Sequence, residues 1–136
     1  MGEVRVKARL ANAVDEALVR RGMLTSDRVR SYEADAVVDT GAVRTVLPPE
    51  IADRLGLAIR GQRVVCLAGG GSEAVSVTEP LVVEIDGRDT LDEALVLGNE
   101  VLIGQTVLEK LDLLVDCKGG RLVPNPKHPD GPGTRQ

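Results

Sequence analysis

The sequence predicts a mostly β domain, a closed or partly open barrel with one or two short helices. Three observations point there. Short apolar runs recur along the chain, divided by Gly, Pro and Asp, at a spacing that suits a small barrel. Val, Leu, Ala and Ile must supply nearly all the core, because there is no Phe, no Trp and a single Tyr, Tyr32. Such a β-branched composition leans toward sheet. The length, 136 residues, is that of one ordinary domain able to bury a core.

Val4 to Leu10 alternates apolar and basic residues and reads as a half-exposed first strand. Asn12 to Met23 is open: Val14, Ala17, Leu18 and Arg21 have helical spacing, but an irregular excursion fits equally. A polar strand from Arg28 to Glu33 runs into the apolar Ala36-Val37-Val38 and stops at Asp39. Gly41 allows a tight turn there, and Thr45-Val46-Leu47 leaves as another strand. Pro48-Pro49 opens a helix with Ile51, Ala52 and Leu55 inward, and Gly56 stops it.

Gln62 to Leu67 and Ala74 to Ile85 read as the arms of a hairpin around Gly69-Gly70-Gly71. Pro80 in the second arm indicates an edge or a bulge. Asp86-Gly87 is a two-residue turn into a strand over Thr90 to Leu97. Val101-Leu102-Ile103 is a short buried strand ending at Gly104, and Thr106 to Leu111 is a short helix. Leu113 to Cys117 and Arg121 to Val123 form a last hairpin about Lys118-Gly119-Gly120. Residues 1–124 are expected to form the domain, and 125–136 a flexible, Pro-rich tail.

Composition excludes several classes of function. Net charge is −4 and no Lys/Arg cluster stands out, which argues against nucleic acid as a partner. The only histidine, His128, lies in the polar tail, so neither a His-based triad nor a multi-His metal site is available in one chain. No apolar run approaches the roughly 20 residues of a membrane span, and Met1 to Leu10 does not read as a signal peptide. Cys66 and Cys117 read as small buried thiols in a reducing compartment. A soluble, cytoplasmic protein is expected.

Asp39-Thr40-Gly41-Ala42-Val43-Arg44-Thr45-Val46-Leu47 resembles the signature Asp-Thr-Gly-Ala-x-x-Thr-Val-Leu of retroviral-type (retropepsin-like) aspartic proteases. The tip Gly69 to Gly71 resembles that family's flap, and Leu102-Ile103-Gly104 with the following helix resembles its second signature. The likeness spans about Val4 to Val123 and is greatest to small single-domain prokaryotic members. Retroviral members commonly carry acids after the Ala and an Arg after the later Gly. Here Val43, Arg44 and Gln105 stand instead, so that ion-paired support is replaced as a whole.

The resemblance implies a homodimer in which each chain supplies one Asp39. Two carboxyls held about 3 Å apart cannot both ionise and share one proton. One activates water and the other protonates the carbonyl oxygen of an extended polypeptide. Thr40 would brace the two turns and Gly41 present its backbone. Ala42 and the flap glycines Gly69, Gly70 and Gly71 would contact substrate. No metal or organic cofactor is required. The alternative is a non-catalytic peptide-binding or assembly module on the same dimeric fold. Asp35, Asp112 and Asp116 read as solvated or turn residues, and Arg44 as an exposed cation.

Overall fold

The structure, a computed structural model, describes residues 3–129. Among them are eleven strands and three α-helices, more than the sequence pattern suggests. The first strand, β1 (Val4–Asn12), buries Val4, Ala8 and Leu10 and turns Arg5 and Lys7 outward, as its alternation requires. The ambiguous stretch after it is a helix, α1 (Ala13–Arg20). Its start is set by Asn12, whose side-chain oxygen accepts from the Asp15 N–H at 2.9 Å. This is an ordinary N-cap. A short 3-10 turn over Ser26–Arg28 leads into β2 (Ser31–Val38), which pairs antiparallel with β1 from Val4↔Val38 to Ala11↔Ser31.

After the Asp39 turn come β3 (Thr45–Leu47) and α2 (Pro49–Arg54), with Pro48 at its N-cap. The flap-like hairpin is β4 (Ile59–Cys66) and β5 (Ser72–Thr78). The strand expected over Ala74 to Ile85 is two strands, β5 and β6 (Leu81–Ile85), divided at Glu79-Pro80. Pro80 therefore ends a strand instead of bulging one. The strand expected over Thr90 to Leu97 is likewise two, β7 (Arg88–Asp92) and β8 (Ala94–Val96), separated by Glu93. At the turn between β6 and β7, Asp86 and Gly87 both take positive φ, 52° and 77°, as a type I′ hairpin turn needs. The last elements are β9 (Leu102–Ile103), α3 (Gln105–Leu111), and a separate hairpin of β10 (Leu113–Asp116) and β11 (Arg121–Pro124).

Nine strands make one sheet in the order β4-β5-β8-β3-β9-β2-β1-β6-β7. β5 and β6 stand near opposite ends of this order, yet only Glu79 and Pro80 separate them. β7 and β8 are also far apart in it, with one residue between them. A chain spans at most about 3.6 Å per residue, so the sheet must curl until its ends approach. β4 and β7 remain its two edges, and the barrel is partly open. Leu10, Leu47, Leu55, Leu81, Ile85, Ile103 and Leu111 are its largest fully buried apolar side chains. Helix α3 closes one side with Val107, Leu108 and Leu111.

The interior also holds Asn12, Asp15, Thr45, Thr78 and Asp92. Among the described residues no buried side-chain polar atom lacks a hydrogen-bond partner. The Asn12 amide donates to the Leu55 carbonyl at 2.8 Å. Asp15 accepts from the Arg30 N–H, Nε and Nη2 at 3.0, 2.9 and 3.0 Å. These bonds join α1, the approach to β2 and the end of α2. The Arg30 guanidinium holds the Asp15 carboxyl below the usual carboxylate range.

Both cysteines are free and exposed, which corrects the expectation of buried thiols. Cys66 ends β4 and Cys117 follows β10, so each sits where a hairpin leaves the core. At the start of the expected tail, Asn125 Nδ2 donates to Asp112 Oδ1 at 3.0 Å. His128 Nδ1 lies 2.6 Å from Asp112 Oδ2. Asn125 and then His128 hold the Asp112 carboxyl below its ordinary value. The remainder of that tail, residues 130–136, lies outside the described residues.

Gly56 has φ +65° and a Cβ there would meet the Arg30 guanidinium. Gly56→Ala is expected to lower unfolding free energy by about 1–2 kcal/mol, read by denaturant titration. Asp15→Asn should lose about 1–3 kcal/mol at pH 7. Because the folded-state carboxyl titrates low, its stabilisation is complete above about pH 3.9 and is lost as pH falls through the lower folded value. Thermal melts should show the wild-type advantage constant from pH 5 to 7 and shrinking below about pH 4.

Candidate active site

Strand β9 lies between β2 and β3, the two limbs that meet at Asp39. Val37 and Val38 pair with Leu102 and Ile103 in parallel, and Val46 pairs with Leu102 antiparallel. The limbs therefore bond to β9 instead of to each other, and the turn is held open. Its backbone is fixed from both sides. Asp39 N–H donates to the Ile103 carbonyl at 2.9 Å, Gln105 N–H to Ala42 at 2.8 Å, and Thr106 N–H to Val43 at 3.0 Å. Gly104 makes this approach possible: a Cβ there would lie 2.7 Å from the Arg44 carbonyl oxygen and 2.8 Å from those of Ala42 and Val43.

Asp39 is half-buried, and Thr40 and Gly41 beside it are exposed. Asp39 Oδ1 accepts from the Gly41 N–H at 2.9 Å, and Ala42 N–H donates to the Asp39 carbonyl at 3.1 Å. A side chain at position 41 would crowd the carboxylate, since its Cβ would sit 3.2 Å from Oδ1. The structure thus brings Asp39, Thr40, Gly41 and Ala42 together on one turn. Gly69, Gly70 and Gly71 form the tip of the β4–β5 hairpin, closed by Gly70 N–H to the Leu67 carbonyl at 3.0 Å and Leu67 N–H to Gly71 at 2.8 Å. Within one chain their Cβ positions meet no atom of the Asp39 turn within 4 Å. Val43 on the turn, with Val64 and Leu67 on the hairpin, are exposed apolar side chains, 63, 74 and 41% accessible.

Sequence reading missed Asp92. It is 6% exposed, and its Oδ2 accepts from the Thr45 N–H at 3.0 Å and Thr45 Oγ1 at 2.8 Å. Thr106 Oγ1 lies 3.3 Å from both carboxylate oxygens and 2.8 Å from the Val43 carbonyl. Lys110 Nζ stands 3.8 Å from Asp92 Oδ1. A run of the type Arg-Asp-Thr-Leu-Asp-Glu gives no sign that its second Asp points inward. Arg44 is half-buried and pairs with Glu93 at 3.6 Å, instead of standing free as an exposed cation. Asp35 lies 3.6 Å from Arg5, Asp112 ends α3 in a left-handed conformation, and Asp116 accepts from the Gly119 N–H. Among the described residues no three His, Cys, Asp or Glu side chains group as a metal site. No helix among them is long and apolar enough to cross a membrane.

An Asp-Thr-Gly turn splayed by an inserted strand, on a partly open β barrel with a glycine-tipped hairpin, defines a retropepsin-like aspartic protease. The chain belongs to the gag-polyprotein putative aspartyl protease family, whose model matches residues 26–110. Among solved structures it is similar to the EIAV protease complexed with the inhibitor HBY-793, at 17% identity and TM-score 0.57. That match covers 79% of this chain and 86% of that one, and it shows the fold. The simian foamy virus (mac) protease, a solution structure, matches at 15% identity and TM-score 0.49, covering 77% of this chain and 91% of that one. No curated protein matches the sequence.

Gly104→Ala must push the Ala42–Arg44 backbone away. It is expected to destabilise the protein by about 1–3 kcal/mol and to speed amide exchange at Ala42, Gln105 and Thr106, read by two-dimensional NMR.

Proposed function

We propose that the chain is a homodimeric aspartic endopeptidase in which the Asp39 carboxylates of two copies share the work. The observation that carries this reading is one half-buried carboxylate on a turn whose backbone is locked by β9 and α3. The sequence contains a single Asp-Thr-Gly, and a two-fold axis through that turn sets it against its own copy. Exposed Val43, Val64 and Leu67 suit a surface that covers itself with a second subunit and a peptide.

In the proposed dimer one Asp39 is ionised and its twin protonated. The ionised group takes a proton from water as the oxygen attacks the scissile carbonyl carbon, and the twin donates to the carbonyl oxygen. The tetrahedral diol then collapses: one hydroxyl returns its proton to the ionised Asp39 as the C=O bond re-forms, the C–N bond breaks, and the leaving amine takes a proton from the other, so the pair again holds one proton. Thr40 braces the two turns across the axis. Gly41, Ala42 and the hairpin glycines Gly69, Gly70 and Gly71 hold an extended substrate by its backbone. The hairpin closes over it to exclude water. Residues 1–124 form the proposed catalytic unit. Two exposed free thiols fit a reducing, cytoplasmic setting.

Asp39→Asn should leave the melting temperature and the dimer mass unchanged and reduce peptide cleavage by about 1,000-fold or more. Cleavage of a peptide library at the parental rate by that variant contradicts the proposal. So does a folded, dimeric parent that binds extended peptides and cuts none between pH 4 and 8, which is the behaviour of a non-catalytic module.

A further inference from the structure

The Asp39 turn has two limbs, and the structure holds them by different means. At the turn the incoming limb is fixed by backbone bonds, from Val37 N–H to the Val101 carbonyl and from Asp39 N–H to the Ile103 carbonyl. The outgoing limb begins at Thr45, which is fully buried. Its N–H and hydroxyl both end on the Asp92 carboxylate. Thr106 Oγ1 donates to the Val43 carbonyl of the turn itself at 2.8 Å and stands 3.3 Å from both oxygens of that carboxylate. We infer that Asp92 is a positioning residue for Asp39: from the end of β7 it holds the outgoing limb, through Thr45 and Thr106, in the geometry that presents the Asp39 carboxylate.

Three features carry this. Asp92 is almost fully buried and its oxygens point at the turn, so its bonds are made in a region of low dielectric where they hold strongly. Val43 and Gln105, which flank these groups, are uncharged, and Arg44 is drawn to Glu93. The negative charge on Asp92 has its nearest cation in Lys110, which also donates to the Leu91 carbonyl at 2.7 Å and so sits fixed beside it. One carboxylate thus fastens β7, β3 and α3 at the base of the turn. Its partners Thr45 and Thr106 lie on opposite sides of it in sequence.

Asp92→Ala removes both Thr45 bonds and the contact with Thr106, and a displacement of the turn by even an ångström is worth about 100-fold in rate. The expected result is a fall in kcat on an extended peptide of about 10- to 100-fold, with KM changed less than about threefold. Asp92→Asn keeps one acceptor for the Thr45 N–H and should recover part of the loss. The catalytic consequence rests on the peptidase reading above, but the positional one does not. Amide exchange therefore runs beside the kinetics: Thr45, Gln105 and Thr106 should exchange about 10-fold faster or more in Asp92→Ala, while Leu10 and Val83 in the sheet keep their protection. If Asp92→Ala does not fold, Asp92→Asn carries both measurements, with the same signs and smaller size. A folded variant with parental kcat, or with turn amides as protected as in the parent, overturns the proposal. A parent that cleaves no peptide defeats the peptidase reading, and the exchange result then decides Asp92 by itself.

Discussion

The whole site depends on a strand inserted where a hairpin would otherwise close. β2 and β3 are neighbours in sequence across the Asp39 turn, yet β9 lies between them and takes their hydrogen bonds. Without β9 the limbs would zip together and bury the carboxylate's surroundings in ladder. With it, the turn is splayed, its amides and carbonyls are met by Ile103, Gln105 and Thr106, and Asp39 is left facing outward. The closeness this demands is possible only because position 104 has no side chain to strike three backbone carbonyls at once.

That arrangement requires an unyielding frame, and the chain builds one with a single aromatic, Tyr32, packed against the core. Leu, Ile and Val fill the curled sheet, and buried polar groups tie its loops. Asn12 and Asp15 fasten helix α1, Arg30 and the end of α2 in one network. Asp92, Thr45 and Thr106 fasten the base of the Asp39 turn in another. A buried, fully partnered polar group contributes little net stability but strongly disfavours alternative packings that would leave it unpaired. In a core made of interchangeable aliphatic side chains, such groups help to define register.

Much of the site was legible because it is local. Two apolar runs meeting at Asp39-Thr40-Gly41 announce a turn, Gly69 to Gly71 announce a hairpin tip, and an apolar pair before Gly104 announces a strand end. What could not be read was distance in space. Ala74 to Ile85 and Thr90 to Leu97 look continuous because apolar residues run through them, but their halves pair with strands at opposite ends of the sheet. Periodicity tells which face a residue takes and not which strand it meets. Asp92 was missed for the same reason: Thr45, its main partner, is 47 residues away. The cysteines were misjudged as buried because thiols favour interiors on average, while Cys66 and Cys117 flank turns.

The central claim is that one working site needs two chains, each lending its Asp39. Calorimetric titration with a statine-type transition-state mimic tests this most directly, combined with the solution mass of the complex. The account predicts saturation at one mimic per two chains in a dimeric complex, as a site on the two-fold axis demands. One mimic bound to each separate chain, in a monomeric complex, contradicts it.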